Sequence, residues 1–428
     1  MTQAAQQFAL EIDEAALSAD LSELARFTHV EQPDEGTAVT RVIFTEDDLR
    51  ARAWLKAKAH AAGLSVCEDA VGNTFLRLEG TDPSLPPVAT GSHTDAIPHA
   101  GMYDGTVGVL GGLEALRAIQ RAGLQPKRSI EVVMLTSEEP TRFGIGCLGS
   151  RLMAGTLAPE RADTLPDLLP GADGRTLQAV RSAAGFTGDL STVRLKHGHY
   201  SAWLELHIEQ GPLLEKRGVP LGVVTHIAAP ASYRFTVYGL GGHAGALLMP
   251  DRRDALCAAA EIILCLERRA LATAAIDTVA TVGTCEVHPG AVNSVPSRVV
   301  LQVDLRDTDP ERRESVIAGV RDEIASMAER RGVRVEETLI NADPPAVCDP
   351  ELVELLTGIC ARDGFACDRM VSRAYHDTLF MAQIAPVAML FIPCRGGVSH
   401  RPDEFATAAD IARGTRVLAE ALAALASP

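Results

Sequence analysis

The stretch Pro87–Glu114, PVATGSHTDAIPHAGMYDGTVGVLGGLE, restricts what this chain can fold into more than any other. Val88 and Ala89 close an apolar run that reads as a buried strand. Gly91 interrupts the run and delivers His93 and Asp95 at its carboxyl end. Eleven positions after His93, Asp104 stands in Tyr103-Asp104-Gly105-Thr106, where an amphipathic helix begins. Val107, Leu110, Leu113 and Leu116 recur every three residues and predict its inner side. Gly108, Gly111, Gly112 and Ala115 would let that helix lie close to a sheet. An imidazole and a carboxylate thus converge at the carboxyl edge of a parallel sheet, where open α/β folds place their sites. Taken alone, Asp104 reads as a helix cap. The rest of the chain changes that.

At 428 residues the chain is long for one core, so two domains are expected. Its 46% hydrophobic content with only 4% aromatics suits an aliphatic α/β protein. A net charge of −16, with basic residues only in short helical pairs such as Arg268-Arg269, argues against nucleic acid or an anionic membrane as partner. Nine scattered cysteines without a C-x-x-C pair point to reduced thiols and a cytoplasmic location. Acids stand near the amino terminus where a signal peptide carries bases, and no run of about 18 apolar residues spans a membrane.

Taken in order, residues 11–62 read mostly as helices, with Leu17, Leu21 and Leu24 facing inward on the first and Leu49, Ala53 and Trp54 on the second. Segments 65–67 and 73–78 read as a strand pair. SIEVVMLT, 129–136, is a second buried strand, ending in Ser137-Glu138-Glu139. Such acids at a sheet edge are commonly just solvated. The glycine-rich segment 141–151 lacks a lysine in P-loop spacing, which rules out a phosphate cradle. Strand 201–208 alternates, placing Trp203, Glu205 and His207 on one face and delivering His207 beside Glu209-Gln210-Gly211.

Past Gly218 the pattern changes. Strands 231–239, 277–283 and 297–306 with helices 251–271 and 310–331 describe an inserted α+β domain over 220–337, between catalytic segments 1–219 and 338–428. The tail returns to α/β style, with helices 350–362, 376–383 and 408–425 and strand 386–392, followed by Gly396-Gly397-Val398-Ser399-His400. His99, His226 and His288 are expected on the surface or in loops.

His93, His207 and His400, with Asp104 and Glu138/Glu139, all fall at or just after predicted strand ends. Imidazoles with carboxylates suit zinc, manganese, cobalt or nickel better than calcium or magnesium. Five ligands exceed a closed zinc site and suffice for two ions if one carboxylate bridges. Such a pair acidifies water and polarises a carbonyl. Glu138 and Glu139 can then divide the roles of ligand and proton carrier.

The segments GSHTDAIP, GMYDGTVGV, TSEEPTRFG, LELHIEQGPLLE, GLGGHAG, NSVPSRVVLQVDLRD and SRAYHD…GGVSH resemble the hydantoinase/carbamoylase group of the di-metal aminoacylase/carboxypeptidase superfamily, over about 90–405. The resemblance implies a three-layer α/β catalytic domain of the di-metal exopeptidase type, with an inserted ferredoxin-like α+β lid that also forms a homodimer. It implies two divalent ions per subunit, manganese preferred, with zinc, cobalt or nickel as alternatives. His93, Asp104 and His207 would hold one ion; Asp104, Glu139 and His400 the other; Asp104 bridges. Glu138 would be the acid/base, and Asp95 would orient His93. Gln210, His243, Asn293 and Arg306 would bind substrate, with His243 able to serve the partner's site; Arg306 reads otherwise as an ion pair with Asp304 or Asp307.

The implied activity is hydrolysis of a linear ureido C–N bond, with (S)-ureidoglycolate as expected substrate and N-carbamoyl-L-amino acids or allantoate as alternatives. One departure bears on the choice: Tyr375 stands where relatives acting on those alternatives tend to carry glycine. Tyr375 and His376 are expected to recognise the substrate hydroxyl, unless Tyr375 merely packs. A catalytically inactive ureide-binding or scaffold protein is the rival from another class.

Overall fold

The computed structural model describes residue 8 and residues 10–427, which form two compact units. The first takes the chain up to Thr225, Val347–Met370 and the chain from His376 onward; the second takes His226–Ala346 and Val371–Tyr375.

At the centre of the first unit, four parallel strands run in the order Val387–Ile392, Ala202–Ile208, Val88–His93 and Ile130–Leu135. Every residue in them is buried, as expected of a parallel sheet covered on both faces. Antiparallel strands extend it on both sides, Thr74–Leu78 with Ser65–Glu68 beyond Leu135 and Leu221–Ile227 beyond Ile392. Helices Thr106–Arg121 and Ala408–Ala426 cover one face. A core around Phe143, Leu148, Met153, Trp203 and Met381 covers the other. The result is a three-layer α/β arrangement.

Two expectations about helix faces change. Helix Thr106–Arg121 buries Val107, Leu110, Leu113 and Leu116, but also nearly everything else, because Ala408–Ala426 lies over its outer side. A Cβ on Gly108 would come within 2.5 Å of the Leu206 carbonyl oxygen, and one on Gly111 within 2.9 Å of Thr415 Oγ1, so both neighbours press close. Helix Glu46–Ala61 packs Leu49 against the core but leaves Ala53 exposed and Trp54 half-buried, while Asp48, Ala51, Arg52, Leu55 and Ala59 are buried. The reason is a buried ion pair: Arg52 Nε donates to Asp48 Oδ2 at 2.9 Å, and its other nitrogens reach the Gly72 carbonyl and Thr136 Oγ1.

The second unit follows the order β-α-β-β-α-β: Ala229–Tyr238, Ala255–Ala272, Val279–His288, Arg298–Asp307, Pro310–Arg331, Arg334–Ala342. Its four strands are antiparallel in the spatial order 279–288, 298–307, 229–238, 334–342, the ferredoxin-like pattern. Val299, Leu301, Val303 and Leu305 point into a core with Ile262, Leu266, Ile317 and Val320. Pro310 opens the long helix, and Asp309 caps it by accepting from the Glu311 and Arg312 N–H groups. Against the expected 220–337, this unit begins at His226, because Leu221–Ile227 pairs with Val387–Ile392, and runs on to Ala346, because Arg334–Ala342 completes its sheet. His99, His226 and His288 sit in strands rather than loops; His99 is exposed and the other two are half-buried.

Candidate metal centre

His93 is the last residue of its strand and His207 the second last of the neighbouring one. Their Nδ1 atoms lie 2.9 Å from the carbonyl oxygens of Asp95 and Ile208 respectively. A carbonyl only accepts, so each Nδ1 carries a proton and Nε2 is the atom left to bind a metal once unprotonated. The two Nε2 atoms face Asp104 Oδ1, at 4.0 Å from His93 and 3.2 Å from His207.

Asp104 does not cap the helix that follows; Gly105 holds that position. The Thr106 N–H donates to the Asp104 carbonyl at 2.7 Å across Gly105, whose φ of 66° and ψ of −41° define a tight γ-turn. This turn swings the Asp104 carboxylate out between the imidazoles. His400, itself in a left-handed conformation with φ of 59°, brings Nε2 to 2.9 Å from Asp104 Oδ2 and 3.4 Å from Glu139 Oε1. Glu138 Oε2 lies 3.7 Å from His93 Nε2, and its Oε1 accepts from the Cys147 thiol at 3.4 Å.

Asp95 touches His93 as expected, but through a different atom. Its main-chain carbonyl, not its carboxylate, takes the His93 hydrogen bond; the carboxylate oxygens are committed to the N–H groups of Glu138 at 3.3 Å and Glu139 at 3.1 Å. Asp95 thus ties the end of one strand to the acids at the end of the next.

Burial disfavours charge here, and the acids oppose one another. Burial and the Glu139 and Asp377 charges push Glu138 well above the usual carboxylate range. Burial and Asp104 raise Glu139 to about 8. Burial would also raise Asp104, but hydrogen bonds from His207 and His400 outweigh it and hold Asp104 well below its ordinary value. Burial lowers His93 to about 4, whereas at His207 the Asp104 interaction overcomes burial and lifts the ring to about 9. Crowded carboxylates beside the unprotonated His93 Nε2 favour added positive charge, for which a metal ion can replace the protons on His207 and His400.

The donors form two groups, His93–Asp104–His207 and Asp104–Glu139–His400, each with ligand atoms within 4.8 Å of one another. They share Asp104, which turns Oδ1 to the first group and Oδ2 to the second. Nitrogen and carboxylate donors, with the His93 and His207 rings oriented through Nδ1, suit first-row divalent ions. A third cluster, Glu205–His207–His376, reuses His207, and its Glu205 carboxylate already accepts from Ser92 and Thr378.

Gln210, with φ of 55°, donates to Asp104 Oδ1 at 3.0 Å and to Ser399 Oγ at 3.3 Å; its Oε1 is buried without a hydrogen-bond partner. The His376 ring meets His207 edge-on, centroids 4.5 Å apart. In the second unit, His243 and Asn293 are exposed on a short strand pairing, where Ala244 N–H donates to the Asn293 carbonyl. Arg306 there forms the ion pair that was its alternative reading, to Asp304 at 2.7 Å, and lies 5.5 Å above the Tyr375 ring centroid.

Sequence reasoning missed two buried carboxyls. Asp377 accepts from Ser150 Oγ at 2.5 Å, and only its place in SRAYHD signalled it. Glu404 accepts from the Tyr103 and Asp104 N–H groups and from Ser399, and no spacing announces it.

The sequence model of Peptidase family M20/M25/M40 matches residues 89–424. The chain is 48% identical over 422 residues to ureidoglycolate hydrolase of Arabidopsis thaliana, covering 97% of this chain and 87% of that one. It is 39% identical over 388 residues to N-carbamoyl-L-amino acid amidohydrolase of Geobacillus stearothermophilus, covering 90% and 93%. Its fold superposes on the crystal structure of AtUAH in complex with glyoxylate with a TM-score of 0.87, at 47% identity and covering 98% and 99% of the two chains. The two strand-end histidines and the Asp104 turn lie inside the matched span, and the chain belongs to peptidase family M20/M25/M40.

Proposed function

We propose that this protein is a metal-dependent amidohydrolase that cleaves a linear ureido C–N bond, with (S)-ureidoglycolate as substrate and glyoxylate, ammonia and carbon dioxide as final products. The observation that carries the reading is Asp104, whose two carboxylate oxygens face two different sets of imidazole and carboxylate donors. Similarity over nearly the whole chain to a ureidoglycolate hydrolase supports the substrate.

His93, Asp104 and His207 would hold one ion and Asp104, Glu139 and His400 the other, with manganese preferred. When bound, the ions supply Lewis acidity that acidifies an attacking water and polarises the ureido carbonyl. Glu138, kept basic by burial and neighbouring acids, takes the proton from that water and returns it to the leaving nitrogen. The buried, unpartnered Gln210 Oε1 accepts from a ureido N–H. Arg306, steadied by Asp304, takes the substrate carboxylate, with His243 and Asn293 beside it in this role. Tyr375 and His376 recognise the hydroxyl. The second unit carries most of the large exposed apolar side chains, Leu248, Met249, Leu271, Ile276 and Val292 among them, which supports a homodimer through that unit. Nine free cysteines accord with the cytoplasm.

The test is metal content together with turnover of (S)-ureidoglycolate, allantoate and N-carbamoyl-L-amino acids, reading ammonia and glyoxylate before and after chelation. Release of two ammonia per glyoxylate from ureidoglycolate alone is expected. Faster turnover of an N-carbamoyl-L-amino acid would move the protein to the second reading, which the 39% identical relative favours.

A further inference from the structure

Glu404 is 3% exposed and belongs to none of the donor groups. Its Oε1 accepts from two consecutive main-chain N–H groups, Tyr103 at 2.8 Å and Asp104 at 3.0 Å. Its Oε2 accepts from Ser399 Oγ at 2.8 Å. One carboxylate therefore ties together two segments some 300 residues apart, one presenting Asp104 and the other His400. Ser399 continues the link, with Oγ 3.4 Å from Asp104 Oδ2 and 3.3 Å from Gln210 Nε2.

The surroundings leave this carboxylate no freedom. A Cβ on Gly101 would stand 2.4 Å from Glu404 Cβ and 2.5 Å from its Oε1. On the far side of the His400 loop, the Thr37 N–H donates to the Pro402 carbonyl at 2.8 Å, and a Cβ on Gly36 would lie 2.0 Å from that oxygen. His400 is half-exposed and sits in a left-handed backbone conformation, so its own packing does little to fix it. The hydrogen bonds next to it must do so.

We propose that Glu404 is the positioning residue of the second donor group, holding the Ser399–His400 loop at the distance from Asp104 that lets Asp104, Glu139 and His400 close on one ion. This rests on the two-ion reading above. It separates the two groups by their supports: His93 and His207 are fixed by their own strand-end carbonyls, whereas His400 depends on Glu404. Glutamine at 404 can still accept the two N–H groups and donate to Ser399, so the role is hydrogen-bond geometry rather than charge. Alanine removes all three bonds.

The test titrates Mn²⁺ alone into metal-free wild type, Glu404→Gln, Glu404→Ala and Ser399→Ala, reading stoichiometry and stepwise affinity by calorimetry and the exchange-coupled signal of a manganese pair by electron paramagnetic resonance. Wild type and Glu404→Gln are expected to take two ions with similar affinities. In Glu404→Ala the second ion is weakened about 10–100-fold and clearly more than the first, with an isolated-ion spectrum at one equivalent and above. Ser399→Ala is expected to weaken the second ion by a smaller factor. If wild type and Glu404→Ala take the second ion equally well, this inference falls and the two-ion reading stands; if wild type takes no pair, both fall. Equal losses in Glu404→Gln and Glu404→Ala overturn the hydrogen-bonding account. Should Glu404→Ala fail to fold, Ser399→Ala decides, and undiminished second-ion affinity there overturns the proposal.

Discussion

Gly105→Ala tests the turn on which the centre depends. Gly105 combines φ of 66° and ψ of −41° with a would-be Cβ only 2.4 Å from His93 Cδ2 and Nε2. The backbone conformation alone is expected to cost about 1–3 kcal/mol for a residue with a Cβ. The contact adds more, since carbon atoms rest near 3.5 Å, so alanine forces His93 or the turn to move by about 1 Å. His93 is buried at 3% exposure and held through Nδ1, so the turn carrying Asp104 gives way with it. A displacement of about 1 Å at a catalytic centre lowers turnover on the order of 100-fold. Gly123→Ala is the control: φ there is 67°, yet nothing lies within 4 Å of an added Cβ. Both variants should lose stability by thermal melting, Gly105→Ala the more because of its contact, while only Gly105→Ala loses affinity for the ion held by His93, Asp104 and His207, read by Mn²⁺ calorimetry. Equal metal affinity and turnover in Gly105→Ala and wild type would refute the placement of the turn against His93.

Three further outcomes follow from the same geometry. Glu138→Gln should bind two ions but lose about 10²–10⁴ in kcat with KM little changed, because it removes a proton carrier and leaves the other donors in place; loss of metal instead would make Glu138 a ligand. Chelation should lower the melting temperature as well as activity, since an ion at 100 times its Kd stabilises the native state by about 2.7 kcal/mol; an unchanged melt would mean that the two donor groups hold no ion. Arg52→Met should destabilise by about 3–5 kcal/mol in a urea melt, because it strands the buried Asp48 carboxylate. Replacing both partners, Asp48→Leu with Arg52→Met, should recover part of that loss, and a milder single than double variant would sink the ion-pair account.

Arg52 also shows which parts of this molecule were legible in the sequence. Alternation and three-residue spacing report apolar burial, so Val299, Leu301, Val303 and Leu305 of strand 298–307 and the inner side of helix 106–121 are legible in the sequence. Helix 46–61 turns a charged pair inward beside Leu49, so the periodicity of apolar residues marks only part of its buried face. Strand 334–342, mostly exposed and rich in polar residues, has no buried face to alternate and went unseen. The centre divides in the same way. Its donors were visible because each follows an apolar strand or a glycine turn, features that the sequence carries locally. Asp95's grip on Glu138 and Glu139, and Glu404's on Asp104 and Ser399, link residues tens to hundreds of positions apart through main-chain N–H groups. Every non-proline residue offers such a group, so no side-chain pattern marks the partner. What the sequence conceals is therefore the scaffold around the ligands, and that scaffold is where substitutions chosen from motifs alone would leave the centre's geometry untested.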